Sequence, residues 1–206
     1  MIQEFKIKNY KSFRDEVTLS FEATKDTTFE STQVVEVTHG VRLLRLALIY
    51  GANASGKSNL LDAFDFLRKF WFMRHDDMDE STGTIPFLLD SETPNEPSEF
   101  SLKFYIGNTR YWYVLSLDIH HVVSEKLYYY KSVQPTMLFT RMFQNGQSVI
   151  KFNPAVLKVS STVIDEITIK CLPNMSFFRS QKHGELLVGT NRRCPRLDAP
   201  PHDALD

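Results

Sequence analysis

Ile2, Phe5, Ile7 and Tyr10 recur among Lys, Glu and Asn at the start of the chain, and Val17, Leu19 and Phe21 then alternate with polar residues. A period near two marks strands with one face on a core, so two early strands are expected. Thr24 to Gln33 is rich in Thr, Ser, Asp and Glu and is expected to be a loop. The run Leu43 to Tyr50 becomes almost wholly apolar towards its end. That pattern predicts a strand buried on both faces of a parallel or mixed sheet. From Lys57 the period lengthens to that of a helix. Leu60, Leu61, Phe64, Leu67 and Trp71 form an apolar stripe, and Asp65 and Lys69 stand one turn apart on the polar side.

His75 to Gly83 and Asp90 to Pro97 are expected to be surface loops. The period then falls to two again. Phe100 to Ile106, a Gly107-Asn108 turn and Tyr111 to Asp118 predict a hairpin. Further strands are expected over Val122 to Tyr130 and around Val149 to Phe152, giving an antiparallel layer over about 100–152. No apolar period continues past about Gln181, so 180–206 is expected to be a disordered or non-native tail outside a unit spanning 1–179.

Composition narrows the function classes. The chain has 206 residues, 42% hydrophobic and 24% charged, with a net charge of −1. This suits a globular chain and supplies no overall cationic field, so any nucleic-acid contact must come from a local patch. Cys171 and Cys194 form no CxxC pair and do not imply a disulfide framework. No apolar run approaches the ~18 residues of a membrane span, and the N-terminus lacks a leader's apolar core. A cytoplasmic location without membrane contact is expected.

The apolar run leads directly into Gly51-Ala52-Asn53-Ala54-Ser55-Gly56-Lys57-Ser58, which fits G-x-x-x-x-G-K-[ST] at each fixed position. Gly51 and Gly56 allow a tight turn around an anion, with backbone N–H groups pointing inward. A helix opening at Lys57 adds unpaired donors and its positive dipole end. Lys57 suits the β- and γ-phosphates of a nucleotide, and the Ser58 hydroxyl suits a water-rich Mg²⁺. ATP with Mg²⁺ is therefore the expected ligand, cradled by Gly51, Asn53, Ala54, Ser55, Gly56, Lys57, Ser58 and Asn59.

The opening Asn9-Tyr10-Lys11-Ser12-Phe13, followed by the strand, the loop and GANASGKSNLLDA, resembles ABC-type ATPase domains of the SMC/RecF class. It is most similar to bacterial AAA-family ATP-binding proteins related to the overcoming-lysogenization-defect (OLD) nucleases. Ile85-Pro86-Phe87, Val123-Ser124-Glu125-Lys126-Leu127 and Leu138-Phe139-Thr140-Arg141 extend the likeness over roughly 1–179. The resemblance implies an α/β P-loop NTPase fold, the N-terminal part of an ABC-type head carrying an antiparallel β layer. It implies ATP held between two heads, hence a homodimer or higher oligomer, with DNA or an effector protein as a possible partner. It also implies that Asn53 lies near the γ-phosphate and Lys11 to Phe13 near the nucleotide.

A complete head of this kind also carries a Leu-Ser-Gly-Gly signature loop, an acidic strand end and a switch His, and none follows in this sequence. Asp165-Glu166 is a candidate acidic pair, but only Val163 and Ile164 precede it as apolar residues, so an exposed helix or turn is expected there. The chain reads as the first half of a longer ATPase, and its catalytic residues stay unassigned. Two alternatives remain: a small-molecule kinase on the same loop, and a nucleotide-binding module without hydrolysis. His120-His121, placed on a strand, would point to opposite faces and could not readily share a metal. Tyr111 to Tyr113 and Tyr128 to Tyr130, with Arg110, Lys126 and Lys131 nearby, are aromatic strands that either pack a sheet or stack single-stranded bases.

Overall fold

The computed structural model describes residues 1–180. In chain order the elements are β1 (Ile2–Lys8), β2 (Val17–Ser20), α1 (Glu30–Gln33), β3 (Val34–Thr38), β4 (Val41–Leu44), α2 (Lys57–Phe72) and a 3₁₀ turn (Thr93–Asn95). They continue with β5 (Ser98–Ile106), β6 (Thr109–Leu117), β7 (Val122–Tyr130), β8 (Pro135–Gln144), β9 (Gln147–Phe152), α3 (Ser161–Lys170) and α4 (Phe177–Ser180).

Seven strands make one sheet in the order β2-β1-β5-β6-β7-β8-β9, with every neighbour antiparallel. The expected hairpin, the strand after it and β9 all belong to this sheet. The two early strands join it as well, because β1 pairs with β5 across about a hundred residues of sequence. β3 and β4 form a separate two-stranded sheet.

Strand pleating puts alternate side chains on opposite faces. Phe5, Leu102, Tyr113, Leu127, Phe139 and Phe152 stand opposite one another in register and form one row of the core. Helix α2 lies on this face. Its Phe64 meets Phe5 with ring centroids 4.0 Å apart, Phe66 meets Phe100 at 5.2 Å, and Trp71 meets Tyr113 at 5.2 Å. Phe177 of α4 extends the cover over Phe139 and Phe152. Leu60, Ala63, Leu67 and Phe70 are the buried residues of α2. Leu61, expected in that stripe, is instead 61% exposed, because it lies about 100° around the helix from Leu60.

The strand expected over Leu43 to Tyr50 does not form. Leu43 and Leu44 end β4, and no strand covers 45–50. Leu46, Leu48 and Tyr50 are 57%, 66% and 83% exposed. A strand buried on both faces needs a hydrogen-bonded neighbour, and among the described residues no strand pairs with this run. The parallel or mixed sheet expected around it is thus replaced by an antiparallel one that leaves the run outside.

Smaller differences have local causes. The expected loop at Thr24 to Gln33 closes with the single helical turn α1. β8 has no counterpart in the sequence expectations because its alternation is broken: Arg141 takes a core position, and a register shift falls opposite Leu127 and Tyr128. His120 and His121 lie in the turn between β6 and β7 rather than on a strand. Both their amides donate to Asp118 Oδ1, at 2.7 and 2.8 Å. The tail expectation for 180–206, with Cys194, lies outside the described residues apart from Ser180, which ends α4. No described helix is long and apolar enough to cross a membrane.

Candidate functional site

Helix α2 starts at Lys57 with no side-chain cap, and Gly56 precedes it at φ 90. Ala54, two residues earlier, is also left-handed, at φ 62. Left-handed turns before a helix direct successive N–H groups to the same side, forming a nest for an anion. Ser55 N donates to Ala52 O at 3.3 Å, and the helical ladder begins with Leu60 N donating to Gly56 O at 3.0 Å. Among the described residues, no protein acceptor takes the amides of Asn53, Ala54, Gly56, Lys57, Ser58 or Asn59. These donors share one loop with a cation. Lys57 Nζ donates to Gly51 O at 2.9 Å, Ala52 O at 2.5 Å and Ser55 Oγ at 3.3 Å.

The loop tolerates little bulk. A Cβ on Gly51 would stand 2.8 Å from Ser55 Oγ, and one on Gly56 would meet Ser12 Oγ at 3.1 Å and Phe13 Cε1 at 3.3 Å. Ser12 and Phe13 therefore back the Gly51–Ser58 loop. Asn59 Nδ2 donates to Ser12 Oγ at 2.8 Å, so this position ties the first helical turn to the backing segment.

Asn9 sets up that segment from below. It is buried at φ 51, and Asn tolerates this left-handed conformation better than most residues. Its Nδ2 donates to Thr93 O at 2.7 Å and Glu96 O at 2.9 Å, and its Oδ1 accepts from Phe87 N at 2.9 Å. Lys11, also left-handed at φ 49, donates its backbone N–H to Ile85 O and its ammonium to Asp62 Oδ2 at 2.6 Å. The Asn-Tyr-Lys-Ser-Phe stretch is thus a brace between the first strand, the 85–97 segment and the Gly51–Ser58 loop. Sequence reasoning placed Lys11 to Phe13 near the nucleotide but did not find this clamp, because a backbone conformation leaves no hydropathy signal. Burial, with the carboxylates of Asp62 and Asp65 beyond it, pushes the Tyr10 phenol up to about 12.

A polyphosphate fits this loop: among the described residues the donors have no competing acceptor, Gly56 stands at a φ that favours glycine, and the Lys57 ammonium lies within the turn. For Mg²⁺ the fit is limited to the Ser58 hydroxyl. No group of three or more His, Cys, Asp or Glu able to hold a metal occurs among the described residues, so the remaining ligands would be water and phosphate oxygen. Asp165 and Glu166 do not join the site. They are exposed on α3, which packs beside β9 at the other end of the sheet, and Glu166 pairs with Lys170 of its own helix. That pairing holds the Glu166 carboxyl below its usual range.

Residues 46–155 match the model of the family described as "AAA domain, putative AbiEii toxin, Type IV TA system". No curated protein matches the chain. The matched span opens on the exposed apolar run, takes in the Gly51–Ser58 loop and α2, and ends just past β9.

Proposed function

The chain belongs to this AAA domain family over more than half its length, and from that premise we propose that it binds ATP with Mg²⁺ in the Gly51–Ser58 loop. On this reading it forms the N-terminal part of an SMC/RecF/OLD-like ABC-type head. ATP draws it against a second head, and the pairing governs DNA handling or a toxic effector in anti-phage defence. The observation that carries the reading is the row of unshared amides at 53, 54 and 56–59, within one turn of the Lys57 ammonium. Gly51, Asn53, Ala54, Ser55, Gly56 and Lys57 hold the phosphates, Ser58 reaches the metal, and Asn59 and Lys11 keep the loop against its brace.

A specific observation favours binding without turnover by this chain alone. The nearest acid in sequence to Ser58 is Asp62, and its carboxylate is engaged by Lys11 at 2.6 Å. No other carboxylate is recorded against the loop among the described residues. The exposed run Leu46 to Tyr50 supports completion of the head by a further strand, which brings the acid that activates water. A small-molecule kinase draws less support, since among the described residues no arginine side chain bonds to the loop.

Equilibrium titration with fluorescent ATP and GTP analogues tests the reading. Mg²⁺-dependent ATP binding that is lost in Lys57→Ala is expected; absent or Lys57-independent binding would remove it. Phosphate release by this chain is expected near background, and brisk release would return Asp165 and Glu166 to candidacy.

A further inference from the structure

The seven-stranded sheet has a second face. Helices α2 and α4 meet the sheet through the Phe5, Phe100, Tyr113 and Phe139 side, and α3 buries Ile167 in the same core. Among the described residues, no helix lies over the opposite side. On the β1 and β5 part of that side the cations are neutralised: Lys6 pairs with Glu16, Lys8 with Glu99 and Lys103 with Glu4. From β6 to β9 the chemistry changes. Arg110, Lys126 and Lys151 have no ion-pair partner among the described residues, and no carboxylate shares their side of these strands.

Aromatic rings lie among these cations. Arg110 covers the Tyr130 ring at 3.6 Å from its centroid, and Trp112 stacks on Tyr128 at 5.0 Å with 26° between the planes. All four are half-buried rather than sealed in the core. The register orders them. Arg110 is opposite Tyr130, Trp112 opposite Tyr128, and Val114 opposite Lys126, in successive rows about 7 Å apart. Lys126 then faces Thr140, and Thr140 faces Lys151, which sets the two ammonium stems about 10 Å apart across the strands.

We propose that this β6–β9 face is a docking surface for single-stranded nucleic acid, with Lys126, Lys151 and Arg110 taking phosphates and Trp112, Tyr128 and Tyr130 taking unstacked bases. A row of cations free of acids supplies the sequence-independent attraction of a polyphosphate chain. Flat rings between them supply stacking that any base can use, which a duplex with its bases paired inside cannot exploit. An acidic peptide would use the cations and leave the rings idle. The surface is separate from the phosphate loop and does not rest on nucleotide binding there.

The test is fluorescence anisotropy of a labelled oligothymidylate of about 20 nucleotides titrated with the full chain at low salt. Binding is expected, with a log–log salt slope of about −2.1 if Arg110, Lys126 and Lys151 each neutralise one phosphate. Lys126→Glu/Lys151→Glu is expected to weaken it at least tenfold, and Lys126→Gln/Lys151→Gln to weaken it less and flatten the slope. Quenching of Trp fluorescence on binding is expected in the unsubstituted protein and lost in Trp112→Phe. Absence of binding overturns the proposal, as does binding indifferent to both double variants. Equal competition by a duplex of the same length or by polyglutamate also overturns it. Lys57→Ala is expected to bind the oligonucleotide normally, so failure of ATP binding and failure of this surface are read apart.

Discussion

The carboxylate of Glu125 on β7 meets the guanidinium of Arg141 on β8 at 3.3 Å, with both side chains fully buried. Neither group has spare capacity. Glu125 Oε1 accepts from Tyr113 Oη at 2.8 Å and Ser176 Oγ at 2.7 Å, and Oε2 accepts from the Phe177 amide at 2.8 Å. Arg141 donates to Ser148 Oγ and to the carbonyls of Leu172, Pro173 and Met175. The pair therefore sews the chain at 172–177 onto the sheet, alongside the backbone bond from Val122 N of β7 to Pro173 O at 2.8 Å. Removing one partner leaves the other charged and buried. Arg141→Ala and Glu125→Ala are each expected to cost about 3–5 kcal/mol in urea unfolding. A loss below about 1 kcal/mol in either would contradict a closed network.

The same network gives an alkaline limit. The Tyr113 phenol is held well above its ordinary value of 10.0, first by burial and then by the Glu125 charge and hydrogen bond. Tyr10 is raised as well, to about 12. A raised phenol binds its proton more tightly in the folded protein than in the unfolded chain. The stability it contributes is whole below pH 10 and is lost as pH rises towards the folded value. Stability is expected to fall from about pH 10 towards pH 12, with Tyr113 contributing at most about 1.4 kcal/mol per pH unit. Tyr113→Phe is expected to be less stable at neutral pH but to lose one phenol's share of that slope in urea titrations across the range.

Gly56 separates the folding and binding roles of the loop. Gly56→Ala forces a Cβ at φ 90 to within 3.3 Å of the Phe13 ring. The substitution is expected to cost about 1–2 kcal/mol and to weaken ATP-analogue binding, because the Gly56 amide turns away as the strain relaxes. Lys57→Ala breaks only exposed hydrogen bonds, and its unfolding midpoint is expected to stay within about 0.5 kcal/mol of the parent while binding is lost. Parallel urea and anisotropy titrations read the two effects separately.

Asn9 is expected to matter as much as a core residue. Asn9→Ala loses its amide bonds to Thr93, Glu96 and Phe87 and keeps the left-handed φ, at a cost of about 2–4 kcal/mol. Asn9→Gly relaxes the φ but not the lost bonds, so its denaturation midpoint is expected between those of the parent and Asn9→Ala.

Local pattern was enough for the elements whose partners lie close in sequence. The β5–β6 hairpin, β7, α2 and the Gly51–Ser58 loop follow from alternation, helical period and fixed glycines, because each is stabilised mainly by its own residues or near neighbours. What sequence alone could not determine depends on contacts made far along the chain. Leu46 to Tyr50 has the composition of a central strand, yet composition cannot provide the neighbour that its amides require. Arg141 interrupts an apolar alternation, and only its meeting with Glu125 makes a cation tolerable there. Asn9, Ser12 and Lys11 brace the Gly51–Ser58 loop through backbone conformations and hydrogen bonds that hydropathy does not encode. The sequence determined where the Gly51–Ser58 loop and its helix lie; the tertiary structure decided what supports that loop and which face of the sheet stays open, since burial and charge pairing are settled by distant residues meeting.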